Sequence, residues 1–230
     1  MDKTEVMGMR DTRKTASYFE AYVKYEKNRI EHRCEKLSSC ESSDKKVRIN
    51  ENLLLNRMNL LIASFSCGIA PDELRKLYQQ AWSTACEVNT LTYSDALTLA
   101  SFSIMLDDSV SIQPLFEKFG KLFSADKLLS GLRAYTESGK ATWTGDYNFP
   151  TPYAGLDAVI GAEDKAAKEQ AMLIYLSGWY AQCKDCAWYD TENNPNDVYY
   201  GYWSFESAAV AKIYGLDPTI CAQSPYFPVL

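Results

Sequence analysis

Hydrophobic residues recur at intervals of three and four along almost the whole chain, and no stretch alternates cleanly with period two. That spacing places apolar side chains on one face of an α-helix and commits the chain to packing helix against helix. The expected fold class is therefore all-α, a compact multi-helix bundle of about eight to ten helices. The chain has 230 residues, 47% of them hydrophobic, which is enough for one large domain or two small ones sharing a core.

Between Met9 and Leu37, the positions Ala16, Phe19, Val23, Glu26, Ile30, Cys34 and Leu37 advance by three or four, predicting one long amphipathic helix. Tyr18, Tyr22 and Tyr25 form an aromatic stripe beside that face, and a polar stretch, SSCESSDKK, follows. A second helix is predicted from about 46 to 67, with Gly68 as its stop. A third begins at Pro71, where proline ahead of Asp72 and Glu73 suits a first turn. A break at 89–93 precedes an almost wholly apolar helix that Asp107 and Asp108 end. Further helices are predicted at about 112–123, 125–136, 153–160 and 162–184. Asp197 is expected to cap a last helix over 198–214, with Gly215 as its stop. The break at 89–93 suggests two regions, 1–90 and 91–230; it is too short for a flexible linker, so they should pack together.

The opening 15 residues carry charges but no apolar stretch, so no secretory signal is expected, and no run is long enough to span a membrane. The seven cysteines are odd in number and scattered, which is not a disulfide framework. Both features place the chain in a reducing cytoplasm. Cys183 and Cys186 form a lone CxxC, read as two thiols on one helix turn, because the single histidine, His32, lies far away and no further zinc ligands are near. Residues 1–50 hold 12 Lys and Arg against 9 Asp and Glu, net +3; residues 51–230 hold 12 against 21, net −9. An acidic body repels nucleic-acid backbones and attracts basic proteins.

No phosphate-binding loop, nucleophile elbow or HExxH occurs. His32, between Arg29 and Arg33, reads as a solvated surface residue rather than a catalytic base. The Asp107–Asp108 pair could hold a divalent metal, but a helix end followed by a turn accounts for it better. No catalytic residue, metal or cofactor is therefore expected. The strongest local pattern is YYGYWSFESAAVAKI from Tyr199. There Gly201, Tyr202, Trp203 and Glu206 are read as structural, on a tightly packed helix, with Glu206 needing a tyrosine hydroxyl or an arginine as partner.

The segment GYWSFESAAVAKIYGLD, followed by Phe227-Pro228, resembles the C-terminal signature of the PoNi family, immunity proteins paired with polymorphic-toxin nucleases. YAGLDAVI from Tyr153 and YLSGWY from Tyr175 resemble the helices before it. MRDTRK from Met9 and YFEAYVKY from Tyr18 resemble the associated N-terminal region. The chain departs from the family pattern in having Leu216-Asp217-Pro218 where an Asp-Asp pair is usual.

The resemblance implies an antitoxin that binds a cognate DNase effector, such as one delivered by a type VI secretion system, and covers its active site. Acids in irregular segments are the candidate contacts: Asp185, Asp190, Glu192 and Asp197, with Asp107, Asp108 and Asp146 next. Trp188 and Tyr189 are candidate anchors. The oligomeric state is left open, a dimer being one option. The alternative is a helical scaffold or adaptor that binds a non-toxin partner.

Overall fold

The structure, a computed structural model, describes residues 8–230. The first seven residues of the segment considered for a secretory signal lie outside the described residues. The fold is all-α, and no described helix is long and apolar enough to cross a membrane. The chain divides into two compact units. The first runs to Thr92 and also takes Thr191–Gly201; the second comprises Tyr93–Asp190 and Tyr202–Leu230.

The first unit contains α1 (Ala16–Ser38), α2 (Ser43–Cys67) and α3 (Pro71–Ala85). Helix α1 starts at Ala16, well after Met9, because the Thr15 side chain accepts from the Tyr18 amide and caps it there. The chain before it is held instead by the Arg10 and Asp11 amides, which both donate to the Ser66 carbonyl. The polar break is shorter than its composition suggests, since Ser42 caps α2 from within it. Gly68 ends α2 at φ 88°, a left-handed conformation that glycine adopts without strain. Pro71 opens α3 as expected. Glu26, the one charged residue on the predicted apolar face, is buried and paired. It accepts from Asn56 Nδ2 at 2.8 Å and Arg29 at 3.0 Å, while Arg33 Nε donates to Asn56 Oδ1 at 2.5 Å. Tyr25, placed in the aromatic stripe, is 56% exposed, with the Arg29 guanidinium over its ring.

The same unit holds, up to Gly201, the first part of an extended strap where a helix was expected. Residues 198–204 are not helical; the last long helix starts only at Phe205. Asp197 cannot cap a helix over 198–214, because its φ is +49°, whereas a cap residue needs an extended backbone. Gly201 is not on the helix expected for it but sits at φ 125°, a backbone conformation that glycine adopts and other residues rarely do. The strap's backbone finds its partners on side chains. Tyr18 Oη donates to the Tyr199 carbonyl at 2.9 Å and accepts from the Tyr199 amide at 3.1 Å, and Ser66 Oγ donates to the Tyr200 carbonyl at 2.8 Å. The buried Tyr199 hydroxyl donates to the Asp11 carboxylate.

The second unit contains α4 (Tyr93–Met105), α5 (Gln113–Lys118), α6 (Gly120–Ser124), α7 (Lys127–Ser138), α8 (Pro150–Tyr153), α9 (Leu156–Gly161), α10 (Lys165–Gln182), α11 (Phe205–Ile213) and α12 (Pro218–Cys221). Helix α4 is buried almost all round, as its continuous apolar sequence requires, and packs against α11 and α7. The expected helix over 112–123 is two, because Phe119 leaves helical dihedrals just ahead of Gly120. The buried Asp126 caps α7 through the Leu129 amide at 2.9 Å and also accepts from the Asn148 amide at 2.7 Å. Lys168 closes α9, its ammonium donating to the carbonyls of Val159, Ile160 and Ala162 at 2.9, 3.0 and 2.7 Å.

Tyr18→Phe removes both hydrogen bonds to Tyr199 and strands a backbone amide and carbonyl. It should lower stability to denaturant by about 1–3 kcal/mol and speed amide exchange at Tyr199. Unchanged exchange there would show that the strap is held by something else.

Candidate partner-binding site

In the second unit, Tyr175 and Trp179 lie four residues apart on α10 and so share a face. Glu206 lies in the first turn of α11, where the helix dipole favours a carboxylate. Its Oε1 accepts from Tyr175 Oη at 2.8 Å, Trp179 Nε1 at 2.7 Å and Ser204 Oγ at 2.6 Å. The tyrosine partner expected for Glu206 is thus present, and among the described residues no cation pairs with it. Burial pushes the carboxyl above its ordinary range, and the hydrogen bonds pull it back only in part. Burial, reinforced by the Glu206 charge, pushes the Tyr175 hydroxyl far up, so it stays a proton donor.

This junction fixes the end of α10, and the chain beyond folds back over it in turns. The Cys186 amide donates to the Cys183 carbonyl at 2.8 Å and the Tyr189 amide to the Cys186 carbonyl at 3.0 Å. Trp188 stacks on Trp179 with centroids 5.4 Å apart and planes 18° apart. Tyr189 stacks on Tyr180 at 4.6 Å, and the other side of the cluster is Tyr202 and Tyr226, 5.0 and 5.3 Å from Tyr180. The Asp190 amide donates to Tyr180 Oη at 3.3 Å, and Asp190 takes a left-handed φ of 57°. Trp188 and Tyr189 are half-buried, while Asp185 and Asp190 are exposed. Aromatic rings held from behind, with acids at their edge, give a rigid surface that can bury apolar area and attract cations.

The other expected contacts lie elsewhere. Glu192 and Asp197 belong to the first unit, where Glu192 stands 3.8 Å from Arg13. Asp107 and Asp108 close α4: Asp107 is ion-paired to Lys212 at 2.7 Å, and Asp108 accepts from the Ser111 amide at 3.3 Å. Among the described residues no three His, Cys, Asp or Glu side chains gather in a way that could hold a metal ion. Asp146 is exposed, and its carbonyl accepts from the Lys127 amide at 2.9 Å. Tyr202 and Trp203 are buried as expected, but on the extended approach to α11 rather than within it. From the sequence, Trp179, Tyr180 and Tyr226 had no role in a contact surface; their joint support of the loop depends on chain reversal, which no periodicity reports.

Residues 10–115 match the N-terminal region of the PoNe immunity proteins (PoNi), and residues 124–229 match the C-terminal region of the same family. Together these span nearly the whole chain, so the protein belongs to the PoNe immunity protein family. Among solved structures, the chain is similar to protein PA2201 from Pseudomonas aeruginosa, with a TM-score of 0.71 and 19% sequence identity over 96% of this chain and 88% of that one. At that identity the likeness shows the fold alone. No curated protein matches the chain.

Glu206→Ala leaves three buried donors without an acceptor and should cost at least about 3 kcal/mol in denaturant unfolding. Glu206 also sets a pH dependence. Its folded pKa lies above the ordinary 4.5, so its contribution to stability is full below 4.5 and falls as pH rises through the folded value. Glu206→Gln should flatten that fall; an unchanged slope of stability against pH would assign it to other groups.

Proposed function

We propose that this chain neutralises a cognate antibacterial DNase toxin by covering its active site, acting in the cytoplasm of the cell that makes both. The family supports a toxin partner of the PoNe class; the mode of contact is our own reading of the surface. The observation that carries it is the loop after α10, where Asp185 and Asp190 project beside the half-buried Trp188 and Tyr189. The carbonyl end of an 18-residue helix is a poor place for Asp185, because acids there add to the negative pole of the dipole. Among the described residues Asp185 has no ion pair to offset this. Such an arrangement stabilises a basic partner more than it stabilises the fold.

A nuclease must present cationic groups to bind a phosphate backbone. Asp185 and Asp190 occupy the place of phosphates, and Trp188 and Tyr189 anchor the contact; Glu192 and Asp197 are separate candidate contacts of the first unit. Asp107, Asp108 and Asp146 are second-rank contacts; Asp107 already has Lys212 as its counter-ion. The net charge of −6 disfavours nucleic acid as a direct ligand. Delivery of the toxin by a type VI secretion system fits the same reading.

The test is calorimetric titration with a nuclease toxin of the PoNe class from the same genome, alongside DNA cleavage. Binding at nanomolar Kd with loss of cleavage is expected, since DNase–immunity pairs approach the limit of non-covalent affinity. Trp188→Ala should weaken binding by roughly 30-fold or more, the scale of a central anchor. Asp185→Lys with Asp190→Lys should slow association and reverse its salt dependence. Wild-type affinity in both variants would move the interface elsewhere, and no binding at all would reject the toxin reading for that nuclease.

A further inference from the structure

All seven cysteines are free thiols, and two of them share a turn. Cys183 caps the C-terminus of α10, and Cys186 follows it in a reverse turn closed by the 2.8 Å bond from the Cys186 amide to the Cys183 carbonyl. They are therefore not two thiols on one helix turn, as the CxxC spacing suggests. A turn closed in this way brings its end Cα atoms within about 7 Å, and a disulfide needs them about 4.4–6.8 Å apart. The two thiols lie close enough to act on each other's protons. Their accessibility differs: Cys183 is 1% exposed, whereas Cys186 is half-buried and within reach of solvent.

We propose that Cys183 and Cys186 form a reversible dithiol–disulfide site, with low-molecular-weight disulfides as the oxidant and Cys186 as the attacking group. Cys186 sulfur attacks one sulfur of the small disulfide, giving a mixed disulfide and releasing the first small thiol. Cys183 then loses its proton and attacks the Cys186 sulfur, forming the internal disulfide and releasing the second small thiol. Two protein thiols are oxidised and one small disulfide is reduced to two thiols. The electrostatics agree with this order. The neighbouring Cys183 thiol holds the Cys186 thiol below its ordinary pKa, against burial and the charges of Glu206 and Asp185. The Cys186 thiol, then burial and Glu206, pushes Cys183 far up. Cys186 is thus the group that starts the exchange, and Cys183 the group that resolves it.

The position at a helix C-terminus has a further consequence. Redox pairs at a helix N-terminus stabilise the thiolate and so the reduced form. Here the dipole, Glu206 and Asp185 disfavour negative charge on the pair, and the disulfide removes the need for any. Once formed, it should be a stable bond that rigidifies the turn leading to Trp188. The site needs no partner protein, so it stands or falls apart from the toxin reading.

The test uses the full folded chain in glutathione buffers of varied oxidised-to-reduced ratio, quenched in acid, alkylated and digested with trypsin. Trypsin cuts after Lys184, between the two cysteines, so only a disulfide can hold the flanking peptides together. The expected product is the peptide ending at Lys184 joined to the one beginning at Asp185, two hydrogens lighter than their sum and separated by dithiothreitol. Cys183→Ser should trap a glutathione adduct on Cys186, whereas Cys186→Ser should leave Cys183 unmodified. The proposal is overturned if both thiols stay alkylatable in oxidised glutathione alone while the urea-unfolded chain forms the link, or if either cysteine pairs mainly with another.

Discussion

Three donors from two parts of the second unit converge on one oxygen, Oε1 of Glu206. Tyr175 and Trp179 bring α10 to it, and Ser204 brings the extended approach to α11. A buried carboxylate without a cation is costly unless hydrogen bonds replace its water. That cost makes the junction specific: remove the carboxylate and three buried donors are stranded, and remove a donor and part of a buried charge is exposed to apolar surroundings. Because Trp179 is held through its indole N–H, its ring face is set for Trp188 to stack on it. The loop after α10 thus takes its position in part from Glu206, through Trp179. A surface loop is ordinarily the most mobile part of a domain; this one is backed by a polar junction and an aromatic layer.

The acids of this protein fall into two physical kinds. Asp126 and Glu26 are buried and satisfied by amides or side chains, so they serve the fold. Asp107 is exposed yet ion-paired to Lys212, which softens its outward field. Asp185 sits beyond the negative end of α10, where a neutral or basic residue would suit the helix better. Surface charge that works against local stability is more informative about partners than net charge, which many soluble proteins carry for solubility alone.

Much of the fold was legible in the sequence, and what was not has identifiable causes. The 3.6-residue period marks α1, α2, α4 and α10, and Gly68 and Pro71 stand where helix ends need them. Cap residues moved the boundaries: Thr15 and Ser42 start helices that periodicity alone placed elsewhere. The largest error was the strap over 198–204. Its apolar and aromatic residues read as helix because their burial is real, but the backbone at Tyr199 and Tyr200 is satisfied by Tyr18 and Ser66, far away in sequence. Partners at such separations leave no local pattern. Trp188, Tyr189, Asp185 and Asp190 stand out by composition and turn position, and all four lie in the second unit. Glu192 and Asp197, close to them in sequence, belong to the first unit. The support from Tyr180 and Tyr226 required the reversal of the chain to be seen.

We propose the loop after α10 as the contact surface, held ready before the partner arrives. Amide hydrogen exchange, with and without a PoNe-class nuclease that the chain binds, tests this most directly. Strong added protection over residues 184–190, with little change in α10 beneath them, is the predicted result. A complex that forms while exchange in 184–190 stays unchanged would contradict it and place the interface on another face.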